Sequence, residues 1–290
     1  MPPSRLAALL STVALAFAVG ACGGDDSSDT SSSAGSSASP AANACAKSRL
    51  DLYEPGTLTI GTDKPAFPPY FEDDDPKNGK GFESAVDYAV ADELGFGKDE
   101  VTCTTVPFNS SYAPGPKQFD FDINQISITP QRAKRVDFSE PYFTAPQAVI
   151  ALKGSSAARA TDLAGLKDAK LGVQVGTTSL EAVQASIKPS GDPQVFNDSN
   201  DTVRALKAKR VDAIVVDLPT AFFLTAAEVP EAKIVGQFAA PGGDDWGLLL
   251  AKGSKLTQCV SRAVASLRSA GTLQRLQQRY MGGDAAPELR

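Results

Sequence analysis

Short hydrophobic runs alternate with stretches of helical spacing along residues 58–280. The runs that predict buried or half-buried strands are 58–62, 101–107, 123–128, 147–152, 171–175, 213–216 and 246–250. Between them, apolar positions three or four residues apart predict amphipathic helices, as over 82–94. Pro130 and Pro219 stand where a helix would begin, which is a position that proline favours. Strands alternating with helices of about ten residues indicate an α/β fold, in which ligands bind beyond the carboxyl ends of the strands.

Residues 1–21 have the pattern of a secretory signal peptide. Arg5 supplies a positive charge, and the apolar run over 6–19 is too short to span a bilayer. The sequence Val19-Gly20-Ala21-Cys22 resembles a bacterial lipobox, which implies cleavage before Cys22 and lipid attachment to its sulfur. Two acyl chains would then give a stable membrane anchor. The alternative is an ordinary signal peptide followed by an unrelated cysteine.

The segment after Cys22 has no hydrophobic period. Gly, Ser, Asp and Ala dominate it up to residue 44. Such a composition predicts a flexible linker with a reach of roughly 25 Å. We therefore expect 22–44 to be a lipidated cysteine and a tether.

Composition narrows the function classes. Hydrophobic residues make up 42% of the chain, charged residues 21%, and the formal net charge is −6. Nothing in this charge balance suggests nucleic acid as a partner. It contains no histidine, the commonest general base and metal ligand at neutral pH, which argues against an enzyme. The acidic run over 72–75 lacks the alternating spacing of a calcium loop, so we expect neither metal nor cofactor.

Three cysteines remain besides Cys22. They are Cys45, Cys103 and Cys259. An oxidising compartment favours one disulfide among them, and the alternative is that all three are reduced and buried. A catalytic cysteine is not expected, because no histidine is present to activate it.

Six segments, in a fixed order, carry a resemblance to a known family. They are Gly61–Asp63 with Phe67–Tyr70, Gly81–Glu83, Ser127–Ser139, Gly172–Ser179, Val211–Asp217 and Trp246–Leu248. Over about residues 56–281, the chain resembles the polar amino acid family of extracellular solute-binding proteins, family 3. The resemblance implies a two-lobed periplasmic-binding-protein fold of type II, with a hinge of two crossing strands.

This fold would divide the chain into two discontinuous lobes. The first lobe would hold 45–146 and 240–283, the second would hold 147–239, and 284–290 would be a tail. Cys259 would then return to the lobe that contains Cys45, so the resemblance implies a disulfide between these two.

The resemblance also places nine residues at a ligand site. They are Asp63, Phe67, Phe108, Gln125, Ser127 and Arg132 in the first lobe, and Gln174, Thr178 and Asp217 in the second. Arg132 would take the ligand's carboxylate with its planar fork of donors, and Asp217 would pair with the ammonium group. Phe67 and Phe108 would enclose the ligand's side chain, and a carboxylate at Asp63 would favour a cationic or amide side chain.

Several of these residues also have an ordinary structural interpretation. Arg132 is otherwise a surface arginine on a short helix, and Thr178 is otherwise a helix cap. Asp217 would equally cap the helix that begins near Pro219, and Phe108 would equally be a core residue. Asp63 precedes Phe67 by four positions where the family usually has three, which changes the reach expected of its carboxylate.

The function implied is transport. The protein would capture a polar or cationic amino acid and deliver it to an ABC permease. It would work as a monomer, held to the outer face of the cytoplasmic membrane by the lipid on Cys22.

A cyclohexadienyl-dehydratase-like enzyme on the same fold is one alternative, and it would need an acid or base beside the ligand's ring. A sensor module is another, and it would need a transmembrane helix after Arg290. The zwitterion-binding pair Arg132 and Asp217 favours binding over catalysis.

Overall fold

The computed structural model describes residues 44–282 and 285–290. The predicted signal peptide, Cys22 and all but the last residue of the predicted linker lie outside the described residues. Within the described residues, no helix combines the length and the hydrophobicity needed to cross a membrane.

Ten strands in two sheets form the framework of the described residues. The strands are β1 Leu58–Thr62, β2 Val101–Thr105, β3 Phe121–Asp122, β4 Val136–Thr144, β5 Gln147–Leu152, β6 Leu171–Gln174, β7 Gln194–Phe196, β8 Ala213–Asp217, β9 Ala232–Phe238 and β10 Asp245–Ala251. The first sheet has the order β2-β1-β3-β10-β4, and the second has the order β7-β6-β8-β5-β9. In each sheet, three neighbouring strands run parallel, the fourth strand (β10 or β5) runs antiparallel to them, and the edge strand (β4 or β9) pairs antiparallel with that fourth strand.

Helices cover both faces of each sheet. They are α1 Phe82–Glu93, α2 Phe108–Ser111, α3 Pro130–Ala133, α4 Thr178–Ala182, α5 Ser199–Lys207, α6 Leu218–Phe223, α7 Thr257–Ser269 and α8 Thr272–Tyr280. Helices α4 and α6 continue as π-helical turns at Val183–Ile187 and Leu224–Glu228. Every residue of β1 is buried, because α1, α7 and α8 pack their apolar residues in one core with it. Burial on both faces is typical of parallel strands that helices cover.

The chain crosses from one sheet to the other twice. Strand β4 of the first sheet leads into β5 of the second through residues 145–146, and β9 leads back into β10 through 239–244. Two α/β lobes joined in this way confirm the predicted fold class. The two connections are short and adjacent, which is the arrangement expected of a hinge.

The predicted strand at 123–128 is wrong. The strand of this region is β3, which ends at Asp122, and Gln125 has a left-handed backbone with φ of 48°. The backbone N–H of Gln125 donates to the Glu83 carboxylate at 2.8 Å instead of to a neighbouring strand. A buried side chain has therefore replaced the sheet as the hydrogen-bond partner of an apolar segment.

A disulfide fastens the start of the first lobe. Cys45 is bonded to Cys259 on α7, with 5.4 Å between the two Cα atoms. Cys103 on β2 is a free, half-buried thiol, and burial raises its pKa to about 12. A thiol with so high a pKa is a poor nucleophile.

The C-terminal residues pack on the second lobe rather than on the first. The N–H of Gln237 on β9 donates to the Pro287 carbonyl, and the N–H of Leu289 donates to the Gln237 carbonyl, both at 2.8 Å. The Leu289 side chain is only 4% exposed and belongs to the second-lobe core. Since α8 packs in the first-lobe core, the residues after it reach the other lobe, which the prediction of a plain tail did not foresee.

Candidate ligand-binding cleft

A cavity of about 120 Å³ lies between the two lobes. All nine residues expected at a ligand site line it: Asp63, Phe67, Phe108, Gln125, Ser127, Arg132, Gln174, Thr178 and Asp217. Because these residues are spread over more than 150 positions, only the folded arrangement of the lobes brings them together. Their individual contacts show what each can do.

Arg132 is held on the first-lobe side by a short capped helix. Pro130 begins α3, and the Thr129 hydroxyl accepts a hydrogen bond from the Arg132 backbone N–H at 3.2 Å. The guanidinium donates to the Ser127 carbonyl at 2.7 Å and to the Gly176 carbonyl at 2.9 Å. The residue is only 7% exposed, and no carboxylate of the described residues forms an ion pair with it. It is therefore not a surface arginine but a buried cation that faces the cavity.

Aromatic rings and a glycine complete the setting of Arg132. Its guanidinium carbon lies 4.8 Å from the ring centre of Tyr112 and 5.5 Å from that of Phe108. Gly176 has a φ of 74°, and a Cβ there would lie 2.4 Å from the Tyr112 hydroxyl and 2.5 Å from Asn109 Oδ1. Only glycine allows this approach of the two lobes. Desolvation by burial lowers the pKa of Arg132, because a cation is less stable away from water.

Asp217 lines the cleft from the second lobe, where β8 ends. Its side chain makes no capping hydrogen bond to α6, so it is not acting as a helix cap. Instead it accepts a hydrogen bond from the Gln147 amide at 2.6 Å. Burial and then the nearby Asp244 carboxylate raise the pKa of Asp217, while the hydrogen bond from Gln147 and the charge of Arg132 oppose that rise. A bound cation would restore its ordinary ionised state.

Thr178 contacts the first lobe directly. The cap of α4 is Thr177, whose hydroxyl accepts from the Leu180 N–H at 3.3 Å. This leaves the Thr178 hydroxyl free to lie 3.1 Å from the Ser127 hydroxyl across the cleft. The lobes are therefore in contact at this point, and the cleft is closed.

Asp63 reaches the cavity but is partly engaged by backbone groups. One oxygen accepts from the Lys64 N–H at 2.7 Å, and the other accepts from the Phe108 N–H at 3.1 Å. Phe67 lines the same cavity and packs its ring 6.4 Å from Phe223 of the second lobe. The extra residue between Asp63 and Phe67 has not removed either side chain from the cleft.

The two glutamines are positioned by other side chains. Glu83 on α1 accepts hydrogen bonds from the Gln125 backbone, the Gln125 amide and the Tyr142 hydroxyl. Burial raises the pKa of Glu83 to about 7 against these three hydrogen bonds. In the second lobe, Gln174 accepts from the Ser199 hydroxyl at 2.6 Å. Both amides therefore meet the cavity in a defined orientation.

Sequence reasoning missed several residues of the closed cleft. The Tyr70 hydroxyl lies 2.9 Å from the Thr220 hydroxyl of the second lobe, and its ring packs edge-on against Trp246 at 5.6 Å. Tyr70 and Trp246 stand inside segments that carried the family resemblance, which was a usable signal. Asp244 and Gln147 had no such signal, because each is a single polar residue at a chain crossing.

Two lobes that close on a cavity bearing opposite charges define the class of proteins that enclose a small ligand by hinge motion. Comparison with known proteins gives the family. Residues 58–283 match the profile of the bacterial extracellular solute-binding proteins, family 3. The chain belongs to this family, and the predicted family is confirmed.

Individual relatives agree with this assignment. The L-cystine-binding protein TcyJ of Escherichia coli (strain K12) is 30% identical over 234 residues, covering 80% of this chain and 85% of that protein. A solved ancestral arginine-binding protein bound to arginine is 33% identical, with a TM-score of 0.66, over 78% of this chain and 99% of that one. A second solved structure is the ancestral amino acid-binding protein AncCDT-1, a precursor of cyclohexadienyl dehydratase. It is 28% identical, with a TM-score of 0.63, over 78% of this chain and 95% of that one.

Proposed function

We propose that this protein binds a free amino acid outside the cell and delivers it to an ABC importer. Family membership and the amino-acid-binding relatives support the class of ligand. The observation that carries the proposal is the pair of opposite charges in one closed cavity. Arg132 is a buried cation without an ion-pair partner among the described residues, and Asp217 is an acid whose pKa is raised by burial. A zwitterion placed between them would satisfy both charges.

The side chain of the amino acid is polar or cationic in this proposal. Asp63, Gln125 and Gln174 present carboxylate and amide groups to the same cavity that Arg132 and Asp217 face. A purely apolar side chain would leave these groups without hydrogen-bond partners once water is expelled. A side chain that carries hydrogen-bond donors would use them.

We also propose that the protein works as a lipid-anchored monomer. The lipobox-like sequence that ends at Cys22 supports an anchor at the outer face of the cytoplasmic membrane. Hinge closure would give the permease a shape to recognise only when the cleft holds its amino acid.

We propose binding rather than catalysis. The chain is similar to a precursor of cyclohexadienyl dehydratase, so an enzyme of that kind is the alternative function to be tested. An elimination reaction requires a general acid or base directed at the ligand's ring. Arg132 and Asp217 line one cavity, where a zwitterion's two charged groups would pair with them, and the chain has no histidine.

A thermal-shift screen of the purified protein tests this function. The twenty amino acids and L-cystine are tested first, because a ligand that binds the native state raises the melting temperature. Arg132→Ala should abolish the shift, whereas Arg135→Ala changes an exposed arginine near the end of the same short helix and should preserve it. Stabilisation by none of these compounds, together with consumption of a prephenate-like acid, would replace the proposal by the enzyme.

A further inference from the structure

Asp244 is a buried carboxylate at the hinge. It is 2% exposed and ends the second chain crossing, directly before β10. Its carbonyl accepts from the Ala145 N–H of the first crossing at 3.0 Å. Its carboxylate accepts from the hydroxyl of Thr178 on α4 at 3.3 Å. Asp244 is therefore tied to both crossings and to the second lobe.

One amide group joins Asp244 to Asp217. The Gln147 side-chain nitrogen donates to Asp217 Oδ1 at 2.6 Å and also to Asp244 Oδ2. The amide cannot be reversed without loss, because its oxygen accepts from the Ser179 hydroxyl at 2.6 Å. The two carboxylate oxygens lie within roughly 6 Å of each other, since each is one hydrogen bond from the same nitrogen.

The charges around this pair do not balance. The titratable groups that act most strongly on it from other parts of the chain are Tyr70, Glu83 and Arg132. Arg132 is the one cation in that set, and it would be neutralised by the ligand's carboxylate. Asp63 and Lys64 line the same cavity, and Lys64 is ion-paired with Asp74. Burial raises the pKa of both Asp217 and Asp244, and the charge of Asp244 raises the pKa of Asp217 further. A buried carboxylate and a half-buried one at this distance favour one more positive charge, which a proton or an ammonium group can supply.

We propose that Asp217 and Asp244 form a pair that holds either one proton or the ligand's ammonium group, so that protonation and amino acid binding compete. This inference rests on the proposed function. Asp217 faces the cavity and contacts the ammonium group, whereas Asp244 is a positioning residue that acts through Gln147. When the cationic group enters, the proton leaves to the solvent, and no covalent bond of the ligand changes. Closure without an amino acid then requires uptake of a proton.

Calorimetry on the wild-type protein tests the competition. Titrations use L-arginine, whose own charges stay constant between pH 5 and 8, or the best stabiliser from the screen if arginine does not bind. Buffers of different ionisation enthalpy report the protons exchanged. We expect release of up to about one proton per bound amino acid, and affinity that falls by up to about tenfold per unit as pH decreases. Binding without proton release, at an affinity independent of pH, would overturn the inference and leave the proposed function intact.

The variant Asp244→Asn tests which residue creates the competition. It should still bind the amino acid at pH 7, with less proton release and a flatter pH profile than wild type. Asp245→Asn is the matched control, since its neighbouring carboxylate is exposed and bonded to Thr144, and it should keep the wild-type profile. A folded Asp244→Asn protein with an unchanged pH profile would contradict the role of Asp244. Failure of every amino acid to bind the wild type would instead remove the proposed function.

Discussion

Arg132 and Asp217 face one cavity from opposite lobes, but they are supported in different ways. Arg132 donates to carbonyl groups of both lobes and is stacked on two rings. Asp217 shares a single amide donor with a second carboxylate. The cleft therefore holds one well-supported cation at Arg132, whereas Asp217 lies one shared amide away from a second carboxylate, and we propose that these two acids titrate together.

This difference means that the two charged residues depend on different parts of the chain for their positions. Local sequence can build the Arg132 end, because Thr129, Pro130 and Arg132 belong to one capped turn. The Asp217 end depends on residues from two chain crossings that meet only at the hinge. Affinity for a carboxylate should therefore be robust to pH, and affinity for an ammonium group should not be.

The largest effect is expected from Arg132→Ala. Removal of a buried cation that would pair with the ligand's carboxylate should weaken amino acid binding by about 3 kcal/mol, or about a hundredfold in Kd. Isothermal titration calorimetry measures the change, with Arg135→Ala as the exposed control. Equal losses in the two variants would mean that Arg132 acts only through net charge.

A smaller loss is expected from Asp217→Asn. The substitution keeps the shape and removes one of two neighbouring negative charges, so binding should weaken by about 2 kcal/mol, or about thirtyfold. Asp244 remains bonded to Gln147, and its negative charge limits the loss. If Asp217→Asn proved more damaging than Arg132→Ala, the proposed contrast between the two ends would be reversed.

Leu289→Ala tests whether the C-terminal segment stabilises the second lobe. Loss of a buried side chain from its core should destabilise the protein by about 2 kcal/mol. Glu288→Ala is the control, because its exposed carboxylate bonds only to the Gln237 side chain and should change stability by less than about 0.5 kcal/mol. Urea unfolding curves distinguish the two, and similar midpoints for both variants would show that the C-terminal segment contributes nothing.

The last prediction concerns how Glu83 makes the stability of the protein depend on pH. Its pKa is raised by burial from 4.5 to about 7 in the folded protein. The unfolded chain therefore releases this proton at lower pH than the folded chain, and stability should fall as pH rises from about 4.5 to about 7. Glu83→Gln should remove this part of the slope, measured as the difference between urea midpoints at pH 5 and pH 8. A slope identical to that of wild type would show that Glu83 is ionised in the folded protein throughout this range.

Much of the fold was predictable because its information is local. The strand at 58–62 and the helix at 82–94 were correctly predicted from apolar spacing alone. The strand at 123–128 was wrong, because the Glu83 carboxylate lies far away in sequence and captures the Gln125 backbone. No periodicity over that segment could reveal a partner 42 residues distant.

The sequence by itself determined the family, the two-lobed fold and nine of the residues that line the cleft. Motif order and hydrophobic period are properties of the sequence itself, so they can be recognised without knowing any tertiary contact. The tertiary structure alone decided the state of each charge. Asp244 and Asp245 are identical neighbours in sequence, yet one is buried against Gln147 and the other is exposed beside Thr144. Burial and the positions of other charges set a carboxylate's pKa, and both exist only after the chain has folded.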